Sequence, residues 1–198
     1  MKNFFSEIPK RSAILILGPP GSDKNNILYK VVSEALENKK VVLFITTDYF
    51  PKHIEDLMKK NNTVIEKYKK EGYLKFIDCY SAQVNDVLVN NNIVKMISGP
   101  LALNDISVAL AEFENYFYKK NMEQYVIFQS LSTLLIYSTP EAIERFIHVI
   151  IARTKNTNSS IFFTLEQGMH DNKVIAGIEH LMDGIIIVDS NKTKLKLF

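Results

Sequence analysis

Residues that could hold a phosphate group follow the first apolar run of the chain. Gly18, Gly21 and Lys24 match the loop motif GxxxxGK[ST]. In that motif, glycines let backbone N–H groups face a phosphate, the lysine neutralises its charge and the hydroxyl holds Mg2+. Asp23 stands where the motif has its second glycine, and Asn25 stands where it has the hydroxyl. The pattern therefore predicts the architecture of a nucleotide site whose chemistry has been altered.

The elements on either side of this loop are predicted from their hydrophobic periodicity. Residues 13–17 are apolar throughout and predict a strand, while apolar residues at helical spacing predict a helix over 24–37. A loop between such elements lies at a helix N-terminus, where anions bind. The candidate nucleotide-binding loop comprises nine consecutive residues: Gly18, Pro19, Pro20, Gly21, Ser22, Asp23, Lys24, Asn25 and Asn26.

The rest of the chain alternates between short apolar runs and helical patterns. Strands are predicted at 41–46, 74–78, 125–128 and 160–165, with two more around a polar turn at 190–193. Helices are predicted from Pro51 to about residue 62, from a cap at Asn104 or Asp105, and at 141–157 and 172–181. Residues 79–103 show no clean period and are predicted as a loop or an excursion.

This alternation predicts the fold class. The strand 41–46 is apolar on both faces, which is typical of a parallel sheet covered on both sides. We expect one α/β domain over residues 1–198, with a mainly parallel sheet between helix layers and a C-terminal β-hairpin. The loop after the first strand then lies at the carboxyl edge of the sheet, where open α/β sheets bind ligands.

Composition and charge narrow the class of protein. The chain has 198 residues, a net charge of +2 and one cysteine, so an internal disulfide is excluded. Such a small charge does not favour a nucleic acid or an anionic membrane as partner. The lysine-rich segment 52–75 also carries glutamate and aspartate, which is typical of a solvated helical face. No apolar run approaches the ~20 residues of a membrane span, and we expect a cytoplasmic protein.

Several segments together resemble the RecA/KaiC superfamily, and specifically the small single-domain KaiC-like proteins of archaea, relatives of RadA paralogues. These segments are IPKRSAILILGPPGS, VVLFITTDYFPKHI, VIFQSLSTLLIY and FFTLEQGMHDNKVIAGIEHLMDGIIIV. The third resembles that family's Walker B segment. The resemblance spans nearly the whole chain. It implies a RecA-like, ATP-binding P-loop fold that assembles into rings or filaments, with nucleotide at subunit interfaces.

Three departures from the family pattern lie at the nucleotide site. The Asp23 carboxylate would stand close to a phosphate; unit charges about 5 Å apart at an effective dielectric near 20 repel by about 3 kcal/mol, which weakens ATP about a hundredfold. Aspartate does tolerate left-handed backbone angles, so the loop shape can persist. Asn25 replaces the metal-binding hydroxyl, and Gln129 replaces the Walker B aspartate. We therefore expect weakened binding of ATP and Mg2+ and no efficient hydrolysis.

Two residues have alternative interpretations at this site. Lys24 is either the surviving phosphate ligand or the partner of a carboxylate, Asp23 or another, that closes the loop without nucleotide. Asp48 follows the second strand, where the resemblance places paired carboxylates that activate water. Asp48 is thus the candidate catalytic base, although a role as a turn or cap residue before Pro51 is favoured.

Other polar residues are assigned mainly structural roles. Glu166, His170 and Asp171 follow the fifth strand, where Gly168 indicates a loop rather than the fixed geometry of a metal site. His148 lies among apolar neighbours and is predicted to be packed. Cys79 is predicted to be a small buried residue rather than a nucleophile.

The aromatic residues of the helix predicted after residue 105 allow two interpretations. Phe113 and Phe117 have helical spacing and are predicted to lie in the core, while Tyr116 and Tyr118 are predicted at a subunit contact. The alternative is a surface that stacks nucleic-acid bases.

Three functions follow from these observations. The first is a non-hydrolysing regulatory or interaction module that partners itself or a related KaiC/RecA-like subunit. The second is a weak ATP-binding protein or slow ATPase that uses Lys24, Asn25 and Asp48. The third is a DNA-binding accessory protein of the recombinase-paralogue type, whose binding would be salt-sensitive.

Overall fold

Alternating strands and helices build a three-layer α/β structure in the computed structural model, which describes residues 7–60, 64–84, 91–189 and 192–198. The strands are β1 (Ala13–Gly18), β2 (Val41–Thr46), β3 (Leu74–Asp78), β4 (Val94–Met96), β5 (Gln124–Gln129), β6 (Ser159–Glu166), β7 (Gly184–Asp189) and β8 (Lys192–Leu197). The helices are α1 (Lys24–Glu37), α2 (Pro51–Lys60), α3 (Ile65–Lys70), α4 (Leu103–Tyr118), α5 (Leu131–Tyr137), α6 (Pro140–Asn156) and α7 (Asn172–His180).

Within the described residues, the eight strands form one sheet in the order β4-β3-β2-β5-β6-β1-β7-β8. Every neighbouring pair is parallel except β7 and β8, which pair antiparallel. This arrangement confirms the predicted fold class, including the C-terminal strand pair. The predicted turn between these two strands falls partly on residues 190 and 191, which lie outside the described residues.

Helices cover both faces of the sheet. Alternate side chains of β1 divide between two apolar clusters: Leu15 packs with α4, α5, α6 and α7, and Ile16 packs with α1, α2 and α3. All residues of β1 and β2 are buried, as the uninterrupted apolar runs predicted. Parallel packing brings the carboxyl ends of β1, β2, β5 and β6 to one edge of the sheet, and the candidate loop lies at that edge.

Several boundaries differ from the prediction. Residues 79–103 hold a short helical turn, Ser81–Val84, and strand β4 rather than only loop, although residues 85–90 lie outside the described ranges. Helix α2 ends at Lys60, and the rest of its predicted extent, to about residue 62, also falls outside. The missed strand is three residues long, and so short a run carries no detectable period.

The predicted cap of α4 was wrong. The helix begins at Leu103 after Ala102, because the Ile106 amide donates to the Ala102 carbonyl across 3.0 Å. Asp105 lies in the first turn of the helix instead, where its negative charge interacts favourably with the helix dipole and stabilises the helix. Helices α3 and α5, of six and seven residues, were not predicted because neither is long enough to establish a repeat.

The lengths and the hydrophobicity of the helices show whether any of them could cross a membrane. In the ranges 7–60, 64–84, 91–189 and 192–198, no helix combines the length and the apolar character that a transmembrane span needs.

Candidate functional site

The loop between β1 and α1 is folded tightly around two glycines. A Cβ atom on Gly18 would lie 2.7 Å from the Val188 carbonyl oxygen and 2.5 Å from Ser22 Oγ, so only glycine fits there. Gly21 adopts a φ of 78°, which glycine reaches without strain. The Ser22 amide donates to the Pro19 carbonyl across 3.1 Å. These contacts hold the loop against β7 at the carboxyl edge of the sheet.

Replacing Gly18 should test this close packing. We expect Gly18→Ala to lower the free energy of unfolding by about 2 kcal/mol, because a backbone carbonyl cannot move aside as a flexible side chain can. Urea denaturation measures the change. Gly99→Ala is the matched control, since its nearest atom would be Gln83 Cγ at 3.8 Å. Equal effects of the two substitutions would contradict the tight packing of the loop on β7.

Asp23 joins the loop to α1 without left-handed backbone angles. Its φ is −73° and its ψ is 14°, so the tolerance of aspartate for left-handed angles is not used. The exposed carboxylate accepts a hydrogen bond from Asn26 Nδ2 at 3.0 Å and caps no backbone N–H. A negative charge therefore stands beside the helix N-terminus, the end to which the motif brings a phosphate. Asn25 is half-buried in the first turn of α1.

Lys24 turns inward and pairs with a carboxylate from the far end of the sequence. Its Nζ lies 2.6 Å from Glu166 Oε1, and the two side chains are 5% and 21% exposed. Glu166 ends β6, beside Gly18 in the parallel register of β1. The Glu166 amide donates to Ser132 Oγ at 2.8 Å, which fixes its backbone. In the structure, the carboxylate that pairs with Lys24 is thus Glu166 rather than Asp23.

Several buried polar side-chain atoms form no hydrogen bond with the described residues. Gln129 ends β5 and is 2% exposed, and its Oε1 accepts no hydrogen bond from the described residues. Burial raises the pKa of Tyr29 to about 12, an effect that the neighbouring Gln129 amide partly offsets. Buried side-chain atoms are usually paired. The other buried side-chain atoms of this part of the chain that form no hydrogen bond with the described residues include Ser22 Oγ, Tyr29 Oη, Thr164 Oγ1, Glu166 Oε2 and His170 Nε2.

Asp48 is anchored between β2 and α5. Its carboxylate accepts hydrogen bonds from the hydroxyls of Thr47, at 2.9 Å, and Thr133. Burial raises the pKa of Asp48, and the charge of Glu166 raises it further. The hydrogen bonds from Thr133 and Thr47 lower this pKa but offset only part of the increase. The Asp48 carboxylate is thus held by two threonine hydroxyls and feels the charge of Glu166.

His170 and Asp171, which follow β6, have different structural roles. Asp171 caps α7 by accepting a hydrogen bond from the Lys173 amide at 2.8 Å. His170 lies near Glu166, and burial lowers its pKa while the glutamate opposes that shift. Among the residues that the structure describes, no group of three or more His, Cys, Asp or Glu side chains is arranged to hold a metal ion.

The oxygen donors near the loop differ from those that hold Mg2+ in the motif. A hydrated Mg2+ is held by a hydroxyl and a carboxylate, and it keeps near-octahedral geometry at short distances. Positions 25 and 129 supply neutral amides instead, and Lys24 is already paired. The residues at these positions therefore do not fit the metal as the motif binds it.

Sequence reasoning missed the serine and threonine residues that organise this edge. The Ser130 side chain caps α5 by accepting from the Ser132 amide at 3.1 Å. Ser132 then supports Glu166, and Thr133 supports Asp48. The signal was the run SLST directly after β5, since serine before a helix is a common N-cap.

The remaining single-residue predictions have mixed outcomes. Cys79 is fully buried, and burial raises the pKa of its thiol. Phe113 and Phe117 are buried, whereas Tyr116 and Tyr118 are exposed. The prediction that His148 is packed was wrong: it is exposed, because the buried stripe of α6 runs through Ile147 and Ile150 on the opposite side.

Known proteins are similar to this chain in sequence and in fold. The KaiC ATPase family matches residues 2–197. A UPF0273 protein of Pyrobaculum aerophilum is 23% identical over 98% of this chain and 67% of its own length, and one of Saccharolobus solfataricus is 24% identical over 96% and 66%. The chain thus spans about two thirds of these relatives.

A solved structure supports the same assignment at the level of fold. An uncharacterized protein of Pyrococcus horikoshii, crystallised with an unknown peptide, has a TM-score of 0.77 and 18% identity, covering 100% of this chain and 89% of its own. With a family match over nearly every residue, the chain belongs to the KaiC ATPase family.

Proposed function

We propose that this chain is a KaiC-like domain with a degenerate nucleotide site, which acts without efficient ATP hydrolysis as a regulatory or protein-interaction module. The buried ion pair between Lys24 and Glu166 carries the proposal. A phosphate would need the charge of this lysine, so a nucleotide must displace a carboxylate already 2.6 Å away. Displacement would leave Glu166 without its cation in a mostly buried position, which is costly.

The surrounding residues add to this cost. The Asp23 carboxylate repels a phosphate at the helix N-terminus, and Gln129 offers no charge to a hydrated metal ion. Asn25 offers an amide where the family has a hydroxyl. These three substitutions affect the phosphate and the metal together, which supports loss of turnover more strongly than any one of them.

Thermal unfolding with and without ATP and Mg2+ tests the proposal. Wild type should show no shift, whereas the triple variant Asp23→Gly, Asn25→Thr, Gln129→Asp should be stabilised by ligand. At a ligand concentration about 100 times Kd, binding to the native state alone adds about 2.7 kcal/mol. For a chain of this size, that stability raises Tm by about 5–10 °C.

The controls separate binding from a general effect of the substitutions. Each variant is compared with itself without ligand, and Lys24→Met in the triple-variant background should remove the shift. Calorimetry showing micromolar, Mg2+-dependent ATP binding with turnover by the wild-type protein would refute the proposal.

A slow ATPase is the second candidate, and the position of Asp48 favours it. Burial and the charge of Glu166 raise the pKa of Asp48, and a raised pKa makes a carboxylate a better proton acceptor. On this alternative, the wild type hydrolyses ATP slowly, and both Lys24→Met and Asp48→Asn abolish the turnover. Turnover that survives either substitution would remove this candidate.

The interaction partner that we propose is another copy of the chain or a related KaiC/RecA-like subunit. Exposed apolar side chains near the carboxyl edge support it: Leu101 is 51% exposed, Ile136 57% and Tyr137 61%. Large apolar groups on a surface often mark a contact with another protein. The resemblance to KaiC-like proteins likewise implies assembly with a second subunit.

A further inference from the structure

A cavity lies away from the phosphate-type loop, between α4 and the β3–β4 edge of the sheet. Its volume is about 390 Å3, within the usual range for a site that holds a small molecule. The C-terminal half of α4 and the strands β3 and β4 supply most of its walls. The lining residues are Lys75, Asn91, Asn92, Lys95, Glu112, Phe113, Tyr116 and Phe117.

Two lysines project into this cavity from the face of the sheet that α4 covers. Ile77 of β3 belongs to the apolar cluster on that face, and Lys95 of β4 is its direct partner in the parallel register. Lys75 precedes Ile77 by two residues and so points to the same side. Lys75 and Lys95 are therefore diagonal neighbours, which in a sheet are about 7–8 Å apart. Positions facing a covering helix are ordinarily apolar, so two cations here are unusual.

The charges of these lysines are only partly balanced. Lys75 Nζ donates to the Asn92 carbonyl oxygen at 2.5 Å, a neutral group. Burial lowers the pKa of Lys75, and the charge of Lys120 also lowers it, against the effect of Tyr116. Lys95 pairs with Glu112, whose side chain is 60% exposed and so free to swing toward solvent. An anion between the two lysines would relieve this excess of positive charge.

Aromatic rings form the other wall of the cavity. Lys95 Nζ lies 4.7 Å from the centroid of the Phe113 ring, and the Tyr116 hydroxyl accepts a hydrogen bond from Lys120 Nζ at 2.6 Å. Phe113 and Phe117 are buried, while half of Tyr116 is exposed at the rim. A ligand that fills the space therefore needs an apolar or planar part beside its charged group.

We propose that this cavity binds a small organic phosphate, with its dianionic group between Lys75 and Lys95 and its apolar part against Phe113 and Tyr116. A lysine ammonium binds phosphate as a point charge, and two of them match a dianion. The volume is sufficient for a phosphate monoester. This site differs from the loop of Lys24, because Lys75 lies near the amino end of β3 and the loop lies at the carboxyl edge.

Phenyl phosphate is a suitable probe, since it combines a ring with a phosphate that is dianionic at pH 8. We expect saturable binding by calorimetry in about 150 mM salt with a Kd below about 1 mM, and about tenfold weaker binding of inorganic phosphate, which lacks the ring. Benzyl alcohol, which has the ring alone, should not bind. Absence of saturable phenyl phosphate binding would overturn the proposal.

Variants assign the binding to this cavity. Lys75→Met and Lys95→Met should each weaken phenyl phosphate at least about tenfold, and Glu112→Gln should strengthen it a few-fold by removing the competing carboxylate. Lys119→Met is the matched control, because Lys119 is exposed at the end of α4 and does not line the cavity. Lys24→Met should leave the affinity unchanged. Binding lost in Lys24→Met but retained in Lys75→Met would place the ligand in the loop and refute the proposal.

Discussion

Glu166→Gln should lower the free energy of unfolding by about 3 kcal/mol, because it leaves the Lys24 ammonium almost fully buried without its counter-charge. Breaking a buried ion pair by removing one partner usually costs 3–5 kcal/mol, and the partial exposure of Glu166 places the expected cost at the lower end. In a chain of this length such a loss lowers Tm by about 6–12 °C. Chemical denaturation at neutral pH measures the change.

A double-mutant cycle separates the pair from its surroundings. Lys24→Met combined with Glu166→Gln removes both charges, so the double variant should be more stable than Glu166→Gln alone. Asp56→Asn is the control, because its ion pair with Lys52 lies on the surface and should contribute almost nothing. If Glu166→Gln unfolds like the wild type, the pair does not close the loop, and the proposal of a self-paired site loses its main support.

The second large effect concerns a buried carboxyl far from the loop. Glu114 of α4 is fully buried, and neither carboxyl oxygen completes a hydrogen bond with the described residues. Burial raises the pKa of Glu114 from 4.5 to about 7, and the nearby Thr154 hydroxyl, Arg153 guanidinium and Thr157 hydroxyl offset only part of this effect. The folded protein therefore keeps this proton at pH values where the unfolded chain has lost it.

The sign of the pH dependence follows from this difference. Between pH 4.5 and about 7 the unfolded chain binds fewer protons at this position than the folded one, so stability falls as pH rises. Each pH unit across the window is worth about 1.4 kcal/mol, which gives a loss of about 3 kcal/mol by neutral pH. Below the window the group contributes no pH dependence.

Glu114→Gln should remove this slope. A neutral amide has no proton to lose, so the variant should be more stable than wild type by up to about 3 kcal/mol at pH 8 and nearly equal to it at pH 4.5. Urea unfolding at several pH values measures both. Glu112→Gln, on the exposed side of the same helix, should keep the wild-type dependence. A wild-type curve that stays flat between pH 4.5 and 7 would contradict the prediction.

Much of the fold could be predicted because strand and helix signals are local. The apolar runs of β1 and β2 and the periodicity of α1 depend only on neighbouring residues, and their predicted bounds agree with the structure within one residue. Elements too short to show a period, such as β4 and α5, were missed for the same reason. The phosphate-type loop was also local, since its glycines and lysine are close together in the chain.

The candidate site was less predictable because its partners come from distant segments. Asp48 and Thr133 meet where the ends of β2 and β5 adjoin, and the sequence holds no mark of that contact. His148 shows the reverse problem: apolar neighbours in the chain suggested burial, yet a residue beside a buried position on a helix can face solvent.

By itself, the sequence determined the α/β class, the position of the phosphate-type loop and the residue types at positions 23, 25 and 129, because residue types and short spacings encode them. Only the tertiary structure decided that Lys24 pairs with Glu166, that Glu114 is fully buried, and that Lys75 and Lys95 share a cavity. The physical reason is that electrostatic partners are chosen by distance and burial in space, and both arise only when β6 lies beside β1 and α4 packs on the sheet.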